Sequence, residues 1–264
     1  MLRFAANLTM LFNELDFLDR FAAAKRAGFE GVEYLFPYPY DKNVLAEKLA
    51  ANGLKQVLHN LPAGNWAAGE RGIACLPRRE AEFRDGVGIA IEYAKALGCT
   101  QLNCLAGIPS ATTGIGWAEE TLVENLKFAA RALRVEGIRL LLEPINTRDI
   151  PGFLVCHTQR TFDYFDQVGE DNLYLLYDAY HMQVMEGDLT STIERNLKRI
   201  AHIQIADNPG RHEPGTGEIN YPFVFGRLQA MDYGGWIGCE YKPTASTLAG
   251  LGWVTPYLTR SPAR

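Results

Sequence analysis

A single closed (β/α)8 barrel spanning residues 1–264 is the fold class that the sequence predicts, on three observations. A short apolar run followed by a helical pattern recurs about eight times. Several of these runs are preceded by a glycine of the kind that ends a helix, because glycine tolerates the left-handed conformation. The glycine-rich phosphate loop that an open doubly wound sheet would carry after its first strand is missing, and the chain runs instead into Asn7, Leu8, Thr9 and Met10. Strands alternating with helices imply a parallel sheet covered on both faces, and eight units in 264 residues fit closure better than an open sheet.

Taken in order, the first unit joins a strand at 3–8 to a helix at 17–27, closed by Gly28. The second joins 31–36 to 41–52, closed by Gly53, and the third joins 55–60 to 79–97, closed by Gly98. The connection inside that third unit, residues 61–78, is long. Long loops in compact domains are usually functional, and this one follows a strand's carboxyl end, so it should overhang a site there. The fourth unit joins 101–105 to 118–135, closed by Gly137. The fifth strand, 139–143, ends in LLLEP at Glu143 and precedes a helix at 158–168. The sixth, 173–178, ends in LYLLYD at Asp178 and precedes a helix at 189–197. The seventh, 201–206, carries Gln204 in AHIQIAD and precedes a helix at 221–231. The eighth, 236–240, ends at Glu240 in WIGCEYK, with a weaker helical pattern after Thr247.

Composition narrows the function classes. A net charge of -5 without a basic block gives no footprint for nucleic acid. No stretch approaches the roughly 20 apolar residues that span a bilayer. The start, MLRFAANLTMLFNEL, reads as no signal peptide, and five cysteines without paired spacing suggest free thiols in a reducing cytoplasm. Cys104 and Cys239 lie inside apolar strands, where cysteine acts as a small core residue.

The four strand-ending residues Glu143, Asp178, Gln204 and Glu240 are all oxygen donors. Period-two alternation places Arg139, Leu141 and Glu143 on one face, and likewise Tyr174, Leu176 and Asp178. Ile200, His202 and Gln204 share a face, as do Trp236, Gly238 and Glu240, with Lys242 next if the strand continues. If these faces point inward, the four donors stack at the top of the barrel, where barrel enzymes keep their chemistry. Three carboxylates packed together need a neutralising cation, and an all-oxygen set favours Mg²⁺, or Mn²⁺, over zinc. The plainer alternative is four unrelated polar strand ends, each paired to a neighbouring Lys or Arg.

At these residues the chain resembles the xylose-isomerase-like TIM barrel superfamily. The resemblance rests on EPIN from Glu143 to Asn146, Asp178-x-x-His181, His202-Ile-Gln204 and GCEYKP around Glu240. Within it the chain resembles the hydroxypyruvate isomerase family, through LHNLPAGNWAAGERGIACLP (58–77), EFRDGV, LVENL, DIPGF, YHMQ, MEGDLT and the run from QIADNP to EPGTGEINY. The resemblance implies a metal site of Glu143, Asp178, Gln204 and Glu240, with Glu143 and Glu240 also moving the proton. Sugar epimerases of the superfamily usually carry His where this chain has Gln204, and the endonuclease branch needs more histidines than the five present.

The implied reaction interconverts hydroxypyruvate and 2-hydroxy-3-oxopropanoate through an enediolate. It needs a partner for the carboxylate of a small 2-oxo acid, for which Lys242 is the first candidate by its parity with Glu240. The resemblance places His181 near the substrate oxygens. Arg71, Arg211 and His212 are loop candidates, Trp66 and Arg71 suit a lid, and His59, closing the third strand, could donate to the substrate. Glu33 reads as a buried supporting carboxylate. A homo-oligomer is compatible with all of this. Three rival readings stay open. One is an isomerase of a four-carbon 2-oxo acid on the same site, and another is a metal-dependent lyase. The third is a sugar-acid-binding barrel without catalysis, which should lack one of the two glutamates.

Overall fold

The computed structural model describes residues 1–110, 112 and 114–258. Its strands are β1 (Arg3–Asn7), β2 (Gly31–Glu33), β3 (Lys55–Asn60), β4 (Gln101–Cys104), β5 (Arg139–Leu142), β6 (Leu173–Asp178), β7 (Ile200–Ile205) and β8 (Trp236–Cys239). They pair in parallel in chain order, and β8 returns to β1 to close the barrel. Helices α1 (Phe17–Arg26), α2 (Lys42–Asn52), α3 (Glu80–Leu97), α4 (Ile115–Val135) and α5 (Thr158–Val168) cover the first five strands. Then come α6 (Ala179–Met185), α7 (Leu189–Asn196), α8 (Tyr221–Ala230) and α9 (Thr255–Leu258). The closed (β/α)8 barrel is therefore what the sequence predicted.

Two packed regions follow from strand alternation. Helix faces and outward strand residues form one continuous apolar layer that includes Phe21, Leu45, Leu126, Ile203 and Tyr177. A smaller cluster of Ala5, Val57, Leu58, Leu141, Leu176 and Ala201 fills the barrel interior. Cys75, Cys99, Cys104 and Cys239 are buried thiols, and all five cysteines are free.

Three local features differ from the sequence expectation. Helix α6 was not anticipated, because seven residues are too few to show a helical period. The Asp178 side chain starts it by accepting from the Tyr180 and His181 backbone amides. Strands β2 and β8 are shorter than expected, so alternation does not carry from Glu240 to Lys242. In β7 the parity breaks below His202: the β6–β7 register shifts between Leu175 and Leu176, Ile200 joins the outer layer and Ala201 the interior. His202 and Gln204 keep the inward face.

Candidate active site

A small cavity of about 100 Å3 opens at the carboxyl ends of the strands. Asn7, Glu33, Glu143, His181, Gln204, Arg211 and Glu240 supply most of its polar lining, and Trp66, Leu105 and Ile145 part of its apolar wall.

Glu143 follows β5. One carboxylate oxygen accepts from Asn103 Nδ2 at 2.9 Å, while the other lies 3.8 Å from His181 Nε2. Burial, then the charge of Asp178, pushes its pKa up to about 8. Asp178 spends Oδ1 on the start of α6, and its Oδ2 lies 3.6 Å from both His181 Nε2 and Arg211 Nη2. Burial raises its pKa too, against the nearby Arg211. Glu240 accepts from Arg211 Nη2 at 2.8 Å, from Asn7 Nδ2 at 3.1 Å and from the Gln204 amide. Burial, reinforced by Glu143 and Asp178, holds its carboxyl well above the usual range although Arg211 opposes this.

The Gln204 amide group donates to both Glu240 and Glu33, the latter at 2.8 Å. Its oxygen must therefore face the other way. Glu33 lies below, accepting also from Asn7 and hydrogen-bonded to His202 Nε2 at 2.7 Å. It reaches the barrel centre because β8 carries Gly238 there.

His181 is neutral in this setting, since burial and then Arg211 hold its pKa well below the ordinary value. Asn146 Oδ1 accepts from the Asp149 amide at 2.7 Å, so its Nδ2 donates to His181 Nδ1 at 2.6 Å. The imidazole proton therefore sits on Nε2, facing Glu143 and Asp178.

Arg211 reaches the site from the loop between β7 and α8. Asp207 organises that loop by accepting from the backbone amides of Asn208, Gly215, Gly217 and Ile219 at 2.8–3.0 Å. Burial lowers the pKa of the guanidinium, yet Glu240, Asp178, Glu143 and Asp149 outweigh it and hold the pKa above the ordinary value.

The sequence candidates thus divide. Glu143, Asp178, His181, Gln204, Glu240 and Arg211 converge, and Trp66 lines the cavity mouth beside Phe36, ring centroids 5.1 Å apart. Lys242 does not join them: β8 ends at Cys239, and the exposed Lys242 meets the Arg211 carbonyl only through its backbone amide. His59 is also outside. Leu58 and Asn60 face the cavity, so the residue between them points into the helix layer, where burial lowers its pKa to about 3. Arg71 lies over the Trp66 ring at 4.1 Å and donates to the Trp66 and Glu70 carbonyls, bracing the loop. His212 bonds the Lys242 carbonyl. Asn7, Asn103 and Asn146 were missed, although Asn7 and Asn103 show the same signal of a polar residue near a strand's carboxyl end.

The oxygen donors also suit a cation. Among the described residues, Glu143, Asp178 and His181 form one metal-competent group, their ligand atoms within 4.8 Å of one another. The buried polar atoms of this region without a hydrogen-bond partner include Asp178 Oδ2, Gln204 Oε1 and Arg211 Nε. Two are oxygens of the anticipated ligand set, and the third is a cationic donor.

A sequence model described as the xylose isomerase-like TIM barrel matches residues 21–257. The chain belongs to that family. It is 57% identical over 257 residues to the hydroxypyruvate isomerase of Escherichia coli, covering 97% of this chain and 100% of the relative. It is 49% identical to the 2-oxo-tetronate isomerase of Cupriavidus necator, covering 98% and 99%. A crystal structure of a Brucella melitensis protein described as an AP endonuclease of family 2 superposes with a TM-score of 0.95 at 48% identity, covering 97% and 99%. Within this xylose isomerase-like barrel, no described helix is long and apolar enough to cross a membrane.

Proposed function

We propose that this family member is an isomerase of a short 2-oxo acid, interconverting hydroxypyruvate and 2-hydroxy-3-oxopropanoate. The observation that carries the reading is two buried carboxylates, Glu143 and Glu240, in one small cavity with a guanidinium whose Nε–H has no partner. The identity to the E. coli isomerase supports it.

In this reaction a proton leaves C3, a proton arrives at C2, the carbonyl moves from C2 to C3, and the hydroxyl proton moves from O3 to O2. Glu143 and Glu240 stand on strands separated by two others, so they flank a bound substrate and act as proton acceptor and donor. The Arg211 Nε–H is the donor for the substrate carboxylate, taking the role that parity assigned to Lys242. His181 presents Nε2–H to the substrate oxygens. Glu143, Asp178, Gln204 and Glu240 would hold a divalent ion, Mg²⁺ first and Mn²⁺ second, with His181 beside them. When bound, such an ion supplies Lewis-acid stabilisation of negative charge on adjacent oxygens, worth several kcal/mol.

A four-carbon 2-oxo acid is the second reading, favoured by the identity to the Cupriavidus enzyme. Turnover of both acids in D₂O with Mg²⁺ or Mn²⁺ present, followed by NMR, tests the proposal. Deuterium at C2 of the aldehyde product is expected, and the larger kcat/KM identifies the substrate. Absence of turnover with either acid would sink the isomerase reading. Glu240→Gln should lose at least about 100-fold in kcat while the chain still folds; retained activity would remove Glu240 from proton transfer.

A further inference from the structure

The opposite mouth of the barrel is built differently from a plain closed end. A cavity of about 790 Å3 lies there, and Arg3, Lys55, Arg139 and Lys198 all line it. These positions are not scattered. Arg3, Lys55 and Arg139 are the first residues of β1, β3 and β5, and Lys198 stands two residues before β7. Each of the first three lies two residues before an interior residue, namely Ala5, Val57 and Leu141. In a (β/α)8 barrel the interior is stacked in layers contributed by alternate strands. The lowest odd-strand layer of this barrel therefore presents exposed cations from β1, β3 and β5, with the exposed Lys198 beside them in the turn before β7.

These charges lack internal compensation. Asp232 is the one carboxylate among the residues lining the cavity, and no ion pair is formed by any of the four cations among the described residues. Helix carboxyl ends face this side and carry partial negative charge. Arg3 donates to the carbonyl of Gly234, in the loop between α8 and β8, while stacking 4.8 Å above Trp236. Lys55, Arg139 and Lys198 make no such side-chain hydrogen bond, and Arg139 only overlies Tyr174 at 5.8 Å. Four like charges around one cavity repel, in a chain whose net charge is -5. Gln56 and Gln101, 5% and 3% exposed, also line the cavity, and their side-chain oxygens have no hydrogen-bond partner.

We propose that the amino-terminal mouth of the barrel binds a small multivalent anion of the phosphate or polycarboxylate class. The site is separate from the catalytic cavity and does not depend on the isomerase reading. Its floor connects to that cavity, since Gln101 contacts His202 Nδ1 at 3.4 Å and His202 bonds Glu33.

Calorimetric titration of the full chain at fixed ionic strength, with inorganic phosphate and separately with tricarballylate, tests the proposal. Saturable one-site binding of at least one probe is expected, and the tighter probe identifies the anion class. The Lys55→Ala/Arg139→Ala double variant should bind at least about tenfold more weakly, with isomerase turnover unchanged. Lys198→Glu, on an exposed turn, should weaken binding in the same direction and covers the case in which the double variant does not fold. Arg211→Lys, which alters the catalytic cavity, should leave the affinity unchanged. The proposal fails if neither probe saturates, if the double variant binds as the unaltered chain does, or if Arg211→Lys abolishes binding. It also fails if only long polyanions such as duplex DNA bind, because that marks a nonspecific electrostatic surface.

Discussion

Arg211 holds the active-site chemistry together at the scale of single residues. One terminal nitrogen is shared between Glu240 and Asp178, which leaves Nε for a substrate carboxylate. Lysine would keep the charge and lose the planar fork. Arg211→Lys should therefore raise KM for the 2-oxo acid about 10- to 100-fold while changing kcat less, as steady-state kinetics would show. An unchanged KM would place the substrate carboxylate elsewhere. Glu143 allows a second prediction. Its pKa rises from the ordinary 4.5 to about 8 on folding. Between those values the native protein keeps a proton that the unfolded chain has released, so this group favours the folded state at low pH. That contribution is lost as pH rises toward about 8. Melting of chelator-treated protein should show stability falling over this window, and Glu143→Gln should flatten the slope. Identical slopes in both proteins would show that Glu143 does not titrate there.

At the scale of elements, the barrel interior leaves room for buried polarity only where strands supply small residues. Gly238 is the case in point. A Cβ there would lie 2.6 Å from the Glu33 carboxyl carbon. Glu33 would have to move, releasing Gln204, Asn7 and His202 together. Gly238→Ala should cost about 1–3 kcal/mol in denaturant unfolding and reduce turnover as well. A neutral substitution would mean that the Glu33 network rearranges freely. The element scale is also where legibility in the sequence gave out. Glu143, Asp178, Gln204 and Glu240 could be picked out because each ends an apolar run. Lys242 was misplaced because strand parity was carried one step beyond the last strand pair. His59 was misplaced because its neighbours, rather than it, hold the inward face. The register shift beside Ile200 leaves no mark in the local sequence, because it arises from how β6 and β7 pair.

At the scale of the whole molecule, barrel closure brings oxygens from distant segments into one volume, and a cation binding there should stabilise the entire fold. A ligand at 100 times its dissociation constant adds about 2.7 kcal/mol to a native state that alone binds it. Mg²⁺ or Mn²⁺ should therefore raise the melting temperature by several degrees, and Asp178→Asn should abolish the shift while keeping the cap of α6. No shift with either ion would count against the metal site. The sequence by itself determined the eight strand–helix units, their order and the four oxygen donors, because period-two and helical patterns are local properties of the chain. Only the tertiary structure decided that Arg211 rather than Lys242 faces the donors, that Asn7 and Glu33 orient Gln204, and that cations ring the far mouth. These depend on register, loop geometry and the closure of β8 onto β1, which are set by packing between segments far apart in sequence.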